Sequence, residues 1–337
     1  MTASEEFTSL TGPFRVELLA HCYRMLGSAD EAEDLVQETY LRAWRSFDGF
    51  EGRSSVRTWL YRIATNACLT AIERRSRRPL PSGLGGPRED PEGQVVSATD
   101  VPWLQPFPDV LFGTNPADPS AIAASRAGMR LALVAALQYL SAKQRAVLIL
   151  RDVLDWPAAQ AADLLGTSTT AVNSALRRAR AHLERVLPAQ EQLTEPASPE
   201  RRDLVGRYAA AFENADVPGL VDMLREDVTL EMPPVLTWFR GREVVANFFG
   251  SRVFGVAGPF RMVPTTANGQ PALAVYERGR DGRYHAHGVQ VLTVTESGIA
   301  QIVVFLDPGL IPRFGLPPVY SAVAAGSPPA AQRAGPA

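Results

Sequence analysis

The stretch Asp30-Glu31-Ala32-Glu33-Asp34-Leu35-Val36-Gln37-Glu38-Thr39-Tyr40-Leu41-Arg42-Ala43-Trp44 decides how the rest of the chain is read. Ala32, Leu35, Val36, Thr39 and Ala43 recur at helical spacing, which predicts a helix with one apolar face turned inward. Acids crowd its first turn, where the helix dipole favours negative charge. That much describes a solvated helix start. It does not account for Gln37 and Glu38, because from Asp30 to Glu38 there are five acids and no base. A face of this kind suits a positive protein surface.

The next stretch has the opposite character. Val56, Leu60, Ile63, Ala64 and Ala67 make a second helical stripe. Between Arg53 and Arg78 seven arginines stand against the single acid Glu73, a local balance of +6 in a chain whose formal charge is −2. Arginine beside Trp59 and Tyr61 offers phosphate pairing together with stacking planes for bases, which is how single strands are held. The plainer alternative is a core tryptophan beside a solvated basic face.

The run Ala32–Trp44, followed by Thr58-Trp59-Leu60-Tyr61-Arg62-Ile63-Ala64-Thr65-Asn66, resembles domain 2 of bacterial sigma factors of the extracytoplasmic-function type. Both motifs come in that family's order and at its spacing. The resemblance implies that the first helix docks on the clamp helices of the RNA polymerase β′ subunit. The second helix and the loop before it are then expected to melt and read the −10 element. It places Asp34, Leu35, Gln37 and Glu38 toward polymerase. It places Arg53, Ser54, Ser55, Arg57, Trp59, Arg62 and Asn66 at the melted −10 strand.

The remaining composition fits this frame. The chain has 337 residues, 46% hydrophobic and 21% charged, enough for two or three globular domains. Its two cysteines, Cys22 and Cys68, have no metal-ligand spacing and read as small buried hydrophobes of a reducing compartment. The N-terminus carries Glu5 and Glu6 rather than a basic leader, and no apolar run reaches membrane-spanning length. A cytoplasmic protein with no membrane contact is expected. Residues 13 to 26 should form a helix packing Phe14, Leu18, Cys22 and Leu26 on the two helices above.

From 79 to 119 the chain is a linker, with nine prolines. Within it Val101, Trp103, Leu104, Phe107, Leu111 and Phe112 cluster, and such a cluster is expected to dock rather than stay solvated. Ile122–Leu140 and Ser141–Leu154 read as helices, and Asp155 before Trp156-Pro157 as an N-cap. A short helix to Leu165, a turn at Gly166 and a basic helix from Thr169 to about Leu187 make a helix-turn-helix suited to a major groove. A plain three-helix bundle is the structural alternative. Gln144–Leu148 and Ala171–Arg180 resemble sigma domain 4, the −35 reader, although Ser141 stands where the family commonly has proline. That resemblance puts Ser168, Thr169, Asn173, Arg177, Arg178 and Arg180 at the −35 duplex.

After a second linker, 188–199, the pattern changes to helices and then alternating strands near 228–232, 261–264, 272–276, 284–294 and 299–306. With Pro234–Phe249 this resembles SnoaL-like domains of the nuclear-transport-factor type, an α+β cone. Met232, Trp238, Phe248 and Tyr276 are candidate pocket lining for a small-molecule ligand, or core. Glu231, His285, His287 and Asp307 are the candidate acid–base groups, and the His285–His287 pair lacks an evident third metal ligand. No catalytic residue, metal or cofactor is assigned.

The expected architecture is therefore multidomain: two all-α sigma domains, a helical bundle and a helix-turn-helix, plus a C-terminal α+β SnoaL-like cone. Its divisions are 10–78, 79–119, 120–187, 188–199, 200–320 and a disordered tail 321–337. The expected function is promoter-specific initiation with core RNA polymerase, through its β′ and β subunits, on promoter DNA, tuned by the C-terminal domain. Two alternatives stay open: a SnoaL-like isomerase or hydrolase fused to a DNA-binding module, and a conventional repressor.

Overall fold

Polar caps set where the first helices begin. Thr2 and Glu5 form a capping box that starts α1, Ala3–Thr11, a helix that periodicity did not single out. α2, Arg15–Leu26, ends at Gly27, whose φ of 70° closes it. Ser28 caps α3, Ala29–Arg45, and Ser55 caps α4, Val56–Glu73. In this computed structural model residues 2–52, 54–74, 76–112, 128–186, 199–255 and 259–320 are described. α2 is buried almost all round. Leu18, Leu19, Cys22 and Met25 pack on Ala32, Val36 and Ala43 of α3 and on Leu60, Ala64 and Cys68 of α4. Both cysteines are buried free thiols.

Residues 79–112 dock, and they do so on both sides. Leu104 and Phe107 are fully buried. Gln105 donates its backbone N–H to Gly27 at 3.0 Å, which ties the segment to the end of α2. Further back, Ala98 donates to Pro234 at 2.8 Å and Leu236 to Val96 at 2.7 Å, which ties it to the C-terminal domain. Residues 113–119 of the expected linker lie outside the described residues.

The second helical unit holds α5, Leu131–Leu137, α6, Ala142–Leu148, α7, Ala158–Leu164, and α8, Thr169–Val186. Of the helix expected over Ile122–Leu140, 122–127 fall outside the described residues; from Gly128 onward, φ 67° at Gly128 and an extended Arg130 precede α5, which runs only from Leu131 to Leu137. α6 runs on into a π turn, Ile149–Val153. Ser141, where the family resemblance leads to an expectation of proline, makes a capping box with Gln144, so it starts α6 securely. Asp155 is not an N-cap. It sits at φ 52°, and Pro157 takes the capping position with no side-chain bond.

The C-terminal unit comprises α9, Pro199–Glu213, α10, Val217–Met223, β1, Leu224–Glu231, β2, Phe239–Arg240, α11, Arg242–Phe248, and the strands β3, Phe260–Ala267, β4, Gln270–Arg278, β5, Tyr284–Thr295, β6, Gly298–Phe305, and β7, Val319–Tyr320. The sheet order is β2-β1-β6-β5-β4-β3, with β7 added on β5. Leu273, Val275, Leu292 and Ile302 face the unit's own helices. Their alternating neighbours Ala272, Ala274, Val289, Val291 and Val303 join the core shared with the first two units. The sheet is thus buried on both faces.

The β3–β4 turn fastens this arrangement. Asn268 and Gly269 both have positive φ, 58° and 67°, as a two-residue hairpin turn requires. Asn268 is fully buried. Its Oδ1 accepts from the Phe107 N–H at 2.8 Å, and its Nδ2 donates to the Tyr23 hydroxyl at 2.8 Å and to the Met129 carbonyl at 2.7 Å. The Gly269 N–H donates to the Asp109 carboxylate at 3.0 Å, and the Leu131 N–H to Gln270 at 2.8 Å. Asn268→Ala leaves several buried polar groups unmet and strains the turn, so equilibrium denaturation should show a loss of roughly 2 to 4 kcal/mol. Asn268→Gly should regain about 1 kcal/mol of that, because it removes only the strain.

Candidate nucleic-acid interface

On α3, Asp34 and Gln37 are exposed. Glu38 pairs with Arg42 one turn on, at 2.7 Å, and Leu35 is half-buried against the core. Asp30 and Glu33, at the helix start, are engaged from the C-terminal unit by Arg313, the latter at 3.7 Å. Two side chains missed in the motif reading share this helix: Leu41 is 52% exposed and Trp44 43%. Trp44 stands edge-on to Phe7 of α1 at 5.2 Å. Large apolar groups left on an acidic face were the available signal.

The basic stretch divides into open and engaged groups. Arg53 lies outside the described residues. Ser55, Trp59, Arg62 and Asn66 follow at four, three and four residues, so they share one face of α4. Ser55 accepts from the Thr58 N–H at 3.1 Å, so its hydroxyl caps the helix; Ser54 beside it is half-buried. Trp59 tilts on Phe50 at 4.7 Å and Asn66 is exposed. Arg62 is ion-paired with Asp163 of α7. Arg57 is off this face. Its guanidinium donates to Glu17 at 2.8 to 3.0 Å and lies over the rings of Tyr61 and Trp156 at 5.0 and 5.7 Å. Partial burial depresses its pKa, but the Glu17 carboxylate outweighs that and raises it. Arg57 therefore acts as a structural cation joining α2, α4 and the second unit. Tyr61 is fully buried, 5.2 Å from Trp156.

On α8, Val172, Ala175, Leu176 and Ala179 pack inward. Thr169, Asn173 and Arg177 follow every fourth residue on the exposed face, with Arg178 beside them. The Ser168 hydroxyl caps the helix, accepting from the Ala171 N–H at 3.2 Å. Arg180 is held by Asp152 through bonds of 2.9 and 2.7 Å, which raise its pKa.

In the C-terminal unit Met232 and Phe248 join the core between sheet and helices, whereas Tyr276 belongs to the opposite face, its hydroxyl donating to Pro317 at 2.9 Å. Trp238 donates its indole N–H to the Gly85 carbonyl of the docked segment at 2.9 Å. Glu231 is buried and accepts from the Ser82 N–H at 2.8 Å and from Gln301 at 2.9 Å; burial raises its pKa. His285 pairs with Asp281 at 3.0 Å and His287 with Glu277 at 3.5 Å, so each imidazole has its own acid. Asp307 accepts from the Gly309 N–H at 2.9 Å as a cap.

Three family models match the chain: Sigma-70 region 2 over residues 13–78, Sigma-70, region 4 over 130–183, and a SnoaL-like domain over 205–303. These units define a sigma-70-type initiation factor carrying an extra C-terminal domain. The chain is 51% identical to the ECF RNA polymerase sigma factor SigG of Mycobacterium tuberculosis (strain ATCC 25618 / H37Rv) over 93% of its own length and 84% of that protein. It is 29% identical to SigJ of the same strain, over 83% and 85% of the two chains. The crystal structure of M. tuberculosis SigJ has the same fold, with a TM-score of 0.57 at 24% identity, over 94% of this chain and 99% of that one. The chain belongs to the ECF RNA polymerase sigma factors with a SnoaL-like extension. It binds core RNA polymerase and promoter DNA and directs promoter-specific initiation.

The interface carries a buried titratable group at its back. His21 of α2 is fully buried, with its Nε2 3.0 Å from the Thr65 hydroxyl and its ring 5.1 Å from Tyr61. Burial, with Arg24 and Arg57 adding repulsion, lowers its pKa to about 3 from 6.5. A depressed folded pKa means the neutral ring's stabilisation is complete above 6.5 and is lost as pH falls toward 3. Denaturation should show about 1.4 kcal/mol lost per pH unit between pH 6.5 and about 3. His21→Gln should flatten this slope.

Proposed function

We propose that the chain divides as 10–78, 79–119, 120–187, 188–199, 200–320 and 321–337, and that the SnoaL-like domain regulates the two sigma domains by holding them closed. The observation that carries this is the Arg62–Asp163 ion pair: a cation of the −10 face is occupied by the helix-turn-helix unit. Arg145 of α6 supports it, since the buried guanidinium donates to the Met25 carbonyl of α2 and to Gln138 at 2.9 Å. The two-faced sheet then acts as the brace.

In this reading Asp34, Leu35, Gln37 and Glu38, with Leu41 and Trp44, meet polymerase. Arg53, Ser54, Ser55, Trp59, Arg62 and Asn66 lie at the −10 strand once the domains part, with Arg57 positioning them from behind. Thr169, Asn173, Arg177, Arg178 and Arg180, with Ser168 at the helix start, lie at the −35 duplex. The SnoaL-like domain performs no chemistry of its own, since Glu231, His285, His287 and Asp307 are all spent on structural partners. The protein works in the cytoplasm beside its polymerase. Among the described residues no helix is long and apolar enough to cross a membrane.

Run-off transcription with purified core polymerase tests the brace. Full-length protein and a truncation after Leu187 should both initiate specifically, the truncation at a different rate; identical rates would sink the regulatory role. Separately, Asp34→Lys with Glu38→Lys should weaken core binding at least about tenfold through like-charge repulsion. Unchanged core binding would remove α3 as the docking helix.

A further inference from the structure

Where the two sigma domains meet they leave a cavity of about 230 Å³. Its wall takes Ser76, Arg77 and Arg78 from the segment after α4, and Gln138, Ser141 and Arg145 from α5, α6 and the turn between them. Three arginines thus converge from two domains. Among the described residues on this wall Glu31 is the acid, and it is taken by Arg78 at 2.5 Å. Arg145 spends Nη1 and Nη2 on backbone carbonyls and the Gln138 amide, all neutral acceptors, and its buried Nε has no partner. Its charge is therefore uncompensated at close range. Burial lowers its pKa only to about 10, so it stays cationic at neutral pH. Arg77 lies with its guanidinium over the Tyr139 ring at 4.8 Å, with no acid paired to it among the described residues of this wall.

A surplus of positive charge in a small, walled space between two domains calls for an anion. Guanidinium forks match phosphate oxygens, and the volume admits one or two phosphate groups but little more. We propose that this seam binds a phosphate or diphosphate group, free or as the head of a nucleotide, with Arg77 as its main ligand, and that the bound anion fastens the two sigma domains together. The site deepens the closed-form reading, on which its regulatory meaning rests. An anion touching both walls adds to the seam only while the seam exists, so its binding free energy opposes opening.

Calorimetric titration of the full-length chain tests the site, with pyrophosphate and ADP as separate probes and citrate as a non-phosphate anion. Arg77→Ala should weaken pyrophosphate binding at least about tenfold, while Arg74→Ala, outside the cavity wall, should change it less than about twofold. If ADP binds at least as well as pyrophosphate, the source is a nucleotide; if pyrophosphate binds and ADP does not, it is free diphosphate. No binding of either, equal losses in both variants, or citrate binding as tightly would overturn the site. Hydrogen exchange of α6 reads the fastening: it should slow with saturating pyrophosphate, and unchanged exchange with binding intact would overturn that part alone. None of these results bears on the run-off comparison, so failure here and failure of the closed-form reading are separable.

Discussion

One buried amide holds four parts of the chain to each other. Asn268 reaches Tyr23 of the first sigma domain, Phe107 of the docked segment and Met129 before the second sigma domain, all from the tip of a hairpin in the third unit. The chemistry leaves little choice of residue. The position needs an acceptor and two donors from one short side chain, which a carboxylate or an apolar group cannot supply. It also needs a left-handed backbone, which asparagine tolerates better than most residues. Because the partners are mostly backbone groups, they stay unmet wherever the hairpin is not seated. Seating the hairpin and seating the segment around Phe107 are one event.

The sheet behind that hairpin carries the same logic into packing. An antiparallel sheet usually keeps one face for solvent, but here both parities of β4, β5 and β6 are apolar. Val289, Val291 and Val303 share a core with Leu310, Ile311 and Phe314 of the unit's own turn, Pro308–Phe314, and that core runs on into the docked segment and the sigma domains. The cover is thus made jointly, by the unit's own turn and, at the β3–β4 end, by the docked segment.

The parts of this molecule that were legible in the sequence are those encoded within one element. The stripes of α3, α4 and α8, the acidic and basic faces and the strand alternation follow from 3.6- and 2-residue periods. Ser28, Ser55 and Ser168 mark helix starts by local hydrogen bonds. What was not legible depends on which element lands on which. Nothing within α4 says that Arg57 belongs to Glu17, forty residues earlier, or that Arg62 meets Asp163. Asp155 misled because the Asp-Trp-Pro order fits a cap, whereas the chain takes a left-handed turn at Asp155 and buries Trp156 beside Tyr61. The cluster around Trp103 and Phe107 showed that it would dock, but its site lies on a surface made jointly by two other domains.

The closed seam is built from contacts of unequal strength, and this inequality gives opening a direction. Arg62–Asp163 is solvent-exposed, with side chains 42% and 74% accessible, so it contributes no more than about 1 kcal/mol and exchanges readily for phosphate. Deeper in, Tyr61 against Trp156 and Arg145 on the Met25 carbonyl are buried, and breaking them exposes apolar area and orphans a cation. DNA phosphates can therefore compete at the rim, but rim competition alone cannot part the domains. Separation requires a partner whose own contact replaces the buried ones, and on the proposed reading that partner is polymerase on the acidic and apolar face of α3. Arg313 already grips the start of that helix. On the proposed reading, a protein docking along α3 meets the SnoaL-like unit's own arginine there, and recruitment and release are then coupled.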